Sequence, residues 1–355
     1  MKAILVNNDK SLRWDNVPDP KIKSDEVLVK IEAAALNRAD LMQREGDYPP
    51  PAGCPEWMGL EIAGEIVEIG AEAKEKSNWK ISDKVCALLG GGGYAEYVAV
   101  KYDMLMPVPK NCTMVEAAAI PEAFATAYLN LFIEGGIKEG NTLLMNAGAS
   151  GLASVIIPMA KAFGVRVITT VLSDEIANNI SHLGADRVVV TTKEDIALVL
   201  KEELENGHGV DVAIDCLGGE IMGKCIHYLT HGARWIMIAA LAGTKTEIDL
   251  KNIYVRNVRI IGSTLRSKTP EEKGKLLSEL VDKTWCKFVR GLKLPFHQIS
   301  YKDFSVCSRR YFLSSLILLY WSIEYMKTGL FLIKTYCFGV SKPVLSPFPP
   351  HNKTK

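Results

Sequence analysis

Residues 146–153, NAGASGLA, hold the spacing in this chain that most directly implies chemistry. Gly148 opens a turn after a short apolar run, Ser150 and Gly151 follow, and Ala153 begins a helical pattern. The run reads as G-x-G-x-x-G with Ser at the second glycine position and Ala at the third. A small turn lets a pyrophosphate approach the amides of a helix N-terminus, and a small third residue lets helix and strand pack closely. Gly/Ser turns between strand and helix also arise for purely structural reasons. Here a buried strand precedes the loop, a helix follows it, and a second strand comes about 20 residues on, the context a dinucleotide needs. Ala147, Gly148, Ser150, Gly151 and Leu152 are then the residues expected at the phosphates.

The tip of that second strand bears on which dinucleotide. An acid there bonds the ribose 2′-OH of NAD, whereas NADP needs room and positive charge. The strand ends Thr169, Thr170, Val171, Leu172, Ser173, with no acid before Asp174 and Glu175. The pattern favours NADPH, with Ser173 near the ribose. No Lys or Arg follows immediately, so NADH stays possible.

The elements that must hold this loop fall into two textures. To about residue 120 the chain is strand-rich: Val27, Val29 and Ile31 alternate with Leu28, Lys30 and Glu32, EIAGEIVEIG continues the pattern, and KVCALLGGGGYAEYVAV reads as two strands around the glycine run 90–93. The proline-rich YPPPAGCP (48–55) reads as a loop, placed over a cleft. Over 121–264 short apolar runs (NTLLMNA, VRVITTV, RVVV, VDVAIDCLG, ARWIMIAA, VRIIGSTL) alternate with helix-length segments, including a charged amphipathic one at 194–206. That is the signature of a buried parallel sheet, doubly wound by right-handed crossovers. The fold class is therefore α/β. Residues 265–304 return toward the first domain, and 305–355 form an atypical tail with a proline-rich end expected to be disordered.

Composition narrows the classes. The chain has 355 residues, 48% apolar and 23% charged, with a formal charge of +1, so no basic surface suggests nucleic acid. The uncharged stretch FLSSLILLYWSI (312–323) is too short to span a bilayer, and the first residues are too short for a signal-peptide core. A cytoplasmic protein without membrane attachment is expected. The eight cysteines are scattered with no C-x-x-C spacing and read as free, mostly buried thiols. His182, His208 and His231 read as surface residues.

The strings AALNRADLMQREGDYPPP, GLEIAGEIVEIG, GGGGYAEYV, AAAIPEAFATAY, NAGASGLA, DCLGG and GSTLRS occur in that order. Together they resemble the zinc-free quinone oxidoreductase branch of the medium-chain dehydrogenase/reductase superfamily, and within it the tumour-suppressor-inducible quinone oxidoreductase subgroup. The resemblance covers residues 1 to about 304. It implies a GroES-like, β-rich catalytic domain beside a Rossmann domain, an active site between them, and a homodimer formed through the edge strand VRIIGSTL. Zinc-dependent relatives carry Cys where this chain has Asn37 and His where it has Leu60, and neither residue here is a zinc ligand type. No metal is expected.

By the same resemblance, Asn37 would orient a carboxamide or an acceptor carbonyl, and Tyr48 would stack on a ring or bond its oxygen. Asn37 also reads as a strand-end turn residue, and Tyr48 as an aromatic of the cleft wall. Thr126 would bond phosphate or ribose, or else back-bond to its own helix. Cys216, Gly218 and Ala240 fall at C-terminal strand ends, and Ser263, Thr264, Leu265 and Arg266 at the last such end, where Arg266 would supply charge to a 2′-phosphate or stay solvated. NADPH-specific relatives place a Lys where this chain has Ile176, and a Tyr near Thr191. Past residue 304 the resemblance stops. The tail reads as an alternative or unspliced C-terminus that would leave the catalytic domain one strand short.

The expected function is NAD(P)H-dependent reduction of a quinone or related enone, with a small molecule as the partner. Two alternatives stand beside it: reduction of a 2-enoyl thioester, and nucleotide binding without turnover, as in lens zeta-crystallin relatives.

Overall fold

The alternation around Val27 sets the first half of the molecule. The computed structural model describes residues 1–288, with side-chain detail to 287, and the backbone of 298–300, 321–325 and 331–335. A hairpin of β1 (Lys2–Val6) and β2 (Leu12–Asn16) leads to the long β3 (Glu26–Leu36), whose Val27, Val29 and Ile31 are buried. Then come α1 (Arg38–Glu45), β4 (Glu61–Ile69), α2 (Ala71–Lys76), β5 (Lys84–Leu88), β6 (Tyr97–Lys101), β7 (Leu105–Pro107) and α3 (Met114–Ala118). Strands β4 and β6 both pair antiparallel with β3, and β5 joins β4 to β7. The glycine run between β5 and β6 permits a backbone-to-backbone approach: Gly93 N–H donates to Gly59 O at 3.0 Å, and a Cβ on Gly59 would lie 2.6 Å from Gly93 Cα.

The second half is built on α4 (Pro121–Tyr128), β8 (Thr142–Met145), α5 (Ala153–Ala162), β9 (Arg166–Val171), α6 (Asp174–Ile180), β10 (Arg187–Val190), α7 (Ile196–Glu205), β11 (Val210–Asp215), α8 (Ile221–Cys225), β12 (Leu229–Met237), α9 (Leu250–Arg256) and β13 (Arg259–Gly262). Its six strands run parallel in the order β10-β9-β8-β11-β12-β13. The order reverses beside β8, and the crevice at such a switch point is where open α/β sheets bind ligands. The helix expected at 194–206 forms over Ile196–Glu205.

The return segment is a single long helix, α10 (Pro270–Phe288), that touches both halves. Lys283 Nζ donates to Tyr128 Oη of α4 at 2.6 Å, and Trp285 Nε1 donates to Pro107 O of β7 at 2.9 Å.

The missing strand expected from the tail is corrected. After β14 (Gln298–Ser300), β15 (Trp321–Tyr325) pairs antiparallel with β3, Trp321 opposite Leu36 and Glu324 opposite Ala33, and β16 (Phe331–Thr335) pairs with both β14 and β15. An open β3 edge is a row of unpaired amides and carbonyls, and an extended segment of different sequence satisfies them equally well because the pairing is through the backbone. The disorder expected of the last residues, and most of 312–323, lie outside the described residues. No helix among the described residues is long and apolar enough to cross a membrane. The six described cysteines are free: Cys86, Cys216 and Cys225 are buried, Cys54 and Cys112 half-buried, and Cys286 exposed. His182, His208 and His231 are all exposed.

Candidate active site between the two sheets

The loop that follows β8 is clamped by the Thr169–Thr170 pair of β9. Gly148 N–H donates to Thr170 O at 2.8 Å, Ala147 N–H donates to Thr170 Oγ1 at 3.1 Å, and Thr169 Oγ1 donates to Met145 O at 2.7 Å. A Cβ on Gly148 would lie 2.4 Å from Thr169 Oγ1, so the turn admits no side chain there. Ala147 takes a positive φ of 57°, the left-handed region that non-glycine residues rarely enter. Ser150 Oγ accepts from Ala153 N at 3.1 Å at the start of α5.

Buried Asp215 braces the neighbouring strand tip. It accepts from Asn146 Nδ2 at 3.2 Å, from Leu217 N at 2.8 Å and from Gly218 N at 3.2 Å. The DCLGG turn is thereby tied to the phosphate loop. Cys216 sits in this brace with its thiol pushed up to about 12 by burial, too high for a nucleophile.

Two cavities flank the loop. The outer one, about 620 Å³, lies over the strand tips and is lined by Ala147, Ala149, Ser150, Thr170, Ile176, Thr191, Lys193, Leu217 and Lys224 among others. The inner one, about 230 Å³, lies between the two sheets and is lined by Asn37, Tyr48, Glu122, Thr126, Asn130, Leu152 and Ser263 to Arg266. A dinucleotide crossing the loop would occupy both.

The structure sorts the expected residues accordingly. Asn37, Tyr48, Thr126, Leu152, Ser263, Thr264, Leu265 and Arg266 share the inner cavity, and Ala147 and Ser150 line the outer. Gly148, Gly151, Cys216 and Gly218 are buried beside them as backbone supports. Ser173 caps α6, its hydroxyl accepting from Ile176 N at 3.3 Å, and Ala240 is exposed beside the Gly218 turn.

Arg266 reaches the inner cavity from the chain after β13. Its guanidinium stacks 3.8 Å over the Tyr48 ring and donates to Pro49 O, at the opposite end of the groove from Thr191 and Lys193. These contacts tie Arg266 to the proline loop. The contact joins residues far apart in sequence, which local pattern does not report.

Sequence reasoning missed the acids beneath the inner cavity. Asp40, 1% exposed, accepts from Asn37 N at 2.7 Å, Tyr94 Oη at 2.8 Å and Gly59 N at 3.1 Å. Glu61, 0% exposed, accepts from Asn37 Nδ2 at 2.8 Å and Glu122 N at 2.8 Å. Burial raises Asp40 to about 6, Glu61 to about 8 and Glu122 to about 7, since a carboxylate away from water loses more solvation than these donors return. A signal existed. Glu122 is the sole charged residue between Ala117 and Ile133. Lys193 and Lys224 were missed as well, because both reach the outer cavity from loops or helices distant from the second strand.

The inner cavity also holds orphaned polar atoms. Asn130, in the π-helical turn Leu129–Glu134, is 1% exposed, and its Oδ1 has no partner, nor has Ser263 Oγ. Unpaired buried groups are costly, and π turns concentrate at functional sites. Together with the side-chain-free Gly148 cradle, they fit a nucleotide with a polar head at its inner end. Zinc does not fit. Asn37 carries a carboxamide and not a thiolate, Leu60 is an apolar core residue, and no three metal-ligating side chains converge among the described residues.

Residues 23–110 match the family described as alcohol dehydrogenase GroES-like domain, and residues 151–282 the family described as zinc-binding dehydrogenase. A quinone oxidoreductase-like protein 2 homolog of Nematostella vectensis is 29% identical over 81% of this chain and 78% of its own length. The zinc-type alcohol dehydrogenase-like protein C337.11 of Schizosaccharomyces pombe is 30% identical, covering 83% and 87%. An acryloyl-coenzyme A reductase of Sulfurisphaera tokodaii is 29% identical, covering 79% and 89%. Among solved structures, the quinone oxidoreductase of Thermus thermophilus, also solved with NADPH, superposes with a TM-score of 0.67 at 27% identity, covering 84% of this chain and 91% of that one. With a β-rich GroES-like half and a six-stranded Rossmann half, this chain belongs to the medium-chain dehydrogenase/reductase superfamily of nicotinamide-dependent oxidoreductases.

Proposed function

We propose that the protein reduces small electrophilic acceptors, quinones or conjugated enones, with NADPH and without a metal. The observation that carries this reading is the inner cavity itself: Asn37, Tyr48 and Thr126 surround a small space that Leu152 of the phosphate loop also lines. When bound, the reduced nicotinamide supplies a hydride to the acceptor. The protein's part is to hold the acceptor in register and exclude water. Asn37, fixed through Glu61, presents an amide to the acceptor oxygen. Tyr48, pinned by Arg266, forms the wall against which a flat acceptor stacks. Asn130 and Ser263 offer the acceptor and hydroxyl that a carboxamide requires.

The preference for NADPH rests on Lys193 and Lys224. Ile176 and Thr191 line the outer cavity without charge, while these two lysines stand at it in exposed pairs with Asp174 and Glu220. A 2′-phosphate would compete for them. Division into a catalytic unit to about 120, a cofactor unit over 121–264 and a returning segment belongs to the same proposal, as does a homodimer through β13, an edge of the parallel sheet.

The likeness to an acryloyl-coenzyme A reductase favours a second reading, reduction of a 2-enoyl thioester, which has the same activated double bond. Oxidation of NADPH and NADH by the full chain, followed with ortho- and para-quinones, a conjugated enone and crotonyl-coenzyme A, separates these. Turnover of quinone or enone with NADPH preferred supports the proposal. Preference for the thioester selects the second reading, and nucleotide binding without reduction of any acceptor removes both.

A further inference from the structure

We infer that Glu122 is the proton donor that completes reduction of a carbon–carbon double bond in this cleft, an assignment that rests on the reductase reading above. Three carboxyls cluster under the inner cavity, and their surroundings divide them. Asp40 has both oxygens held by donors, and Glu61 is fully buried with one oxygen on Asn37 and the other on the Glu122 amide. Neither is free to meet an acceptor. Glu122 alone lines the cavity, half-buried at the start of α4, one helical turn before Thr126. Among the described residues no donor engages its carboxyl.

The groups around Glu122 come from every packed element. Asp40 on α1 favours its protonated form, Arg266 after β13 and Lys273 on α10 favour its charged form, and Glu61 on β4, itself held protonated in part by the charge of Glu122, faces it from beneath. Burial outweighs the two cations, and the carboxyl sits at about 7, where an acid both holds a proton and releases it near neutral pH. Arg266 is drawn aside by Tyr48 and Pro49, and Lys273 Nζ donates to Arg266 O at 3.2 Å, so neither cation is locked to Glu122.

An enone gains hydride at its β-carbon, its double-bond pair shifts toward the carbonyl, and the enolate takes a proton at the α-carbon. The O–H bond of Glu122 breaks as that C–H bond forms, and the resulting carboxylate regains a proton from water in the cleft. A quinone needs less, because the hydroquinone anion is stable enough to leave and be protonated in solution. Glu122 should therefore matter for enones far more than for quinones.

The test compares the full-length wild type with Glu122→Gln and Glu122→Asp on one conjugated enone and one ortho-quinone, across pH. Glu122→Gln should lower enone kcat about 100-fold, at least about tenfold more than it lowers quinone kcat or weakens NADPH binding by fluorescence. Enone kcat of the wild type should fall as pH rises through about 7, a limb absent in Glu122→Gln, and Glu122→Asp should restore part of the rate. Carbon NMR of isotope-labelled glutamate carboxyls in the nucleotide-free protein should show one group titrating near 7 that Glu122→Gln removes. Equal losses for enone and quinone, or a retained enone rate in Glu122→Gln, would overturn the assignment while leaving the reductase reading intact. A wild type that oxidises NADPH with neither acceptor removes the reading and the assignment together.

Discussion

The two ends of the groove are built on opposite principles. At the inner end, Asn37, Asp40, Glu61 and Tyr94 form a buried network in which each carboxylate accepts from fixed donors and most partners are under 10% exposed. At the outer end, Lys193 pairs with Asp174 and Lys224 with Glu220, all four with side chains at least 60% exposed. Surface pairs of that kind contribute little stability and exchange partners readily, whereas a buried polar network is costly to disturb. The inner end can thus hold an acceptor in one geometry, while the outer end can trade an internal ion pair for a phosphate.

The largest effect that would break this contrast is at Glu61. Its folded-state value, about 8, lies above the unfolded carboxyl range, and those of Glu122 and Asp40, about 7 and 6, do as well. The folded protein then holds more protons than the unfolded chain between about pH 4 and 8, so these groups stabilise fully below the unfolded pKa and lose that stabilisation as pH rises. Urea unfolding should show stability falling over that window by several kcal/mol, and Glu61→Gln should flatten the slope. A stability that rises over the same window would mean the cluster is ionised and the inner end is wet. Next in size, Gly148→Ala places a Cβ against Thr169 Oγ1 and should cost about 2 kcal/mol of stability together with most NADPH affinity, read by thermal unfolding and fluorescence titration.

The outer end predicts a smaller and more selective change. Lys193→Ala should weaken NADPH by roughly tenfold, near 1.4 kcal/mol, and leave NADH nearly unchanged in equilibrium titration. Equal effects on both would place the 2′-phosphate elsewhere. The smallest effect is at Arg266, where Arg266→Ala removes the stack on Tyr48 and should cost about 1 kcal/mol of acceptor affinity, seen as a raised KM at unchanged NADPH affinity.

What is legible in the sequence follows the same division between local and long-range. The buried face of β3, the six parallel strands and the phosphate turn follow from periodicity and residue size, which act over a few neighbours. The GroES-like and Rossmann assignments follow from ordered motifs. What stays hidden depends on chain segments meeting from afar. Nothing local to Arg266 shows Tyr48 and the Pro49 carbonyl arriving beside it. Lys193 follows β10 and not β9, so a search just past the second strand does not find it. The tail looks unable to supply a strand because its side chains differ from the expected ones, yet β15 pairs with β3 through backbone groups that any extended residue carries. Glu122 is legible in principle, as a lone charge in an apolar run, but its neighbours Asp40 and Glu61 are not.

Mass analysis of the product formed from a conjugated enone and NADPH deuterated at nicotinamide C4, with the enzyme held in excess chelator, tests the central claim most directly. Metal-independent hydride transfer predicts a saturated ketone carrying one deuterium at its β-carbon, formed at the same rate with and without chelator. Unlabelled product, or loss of turnover on chelation, would contradict that chemistry in this cleft.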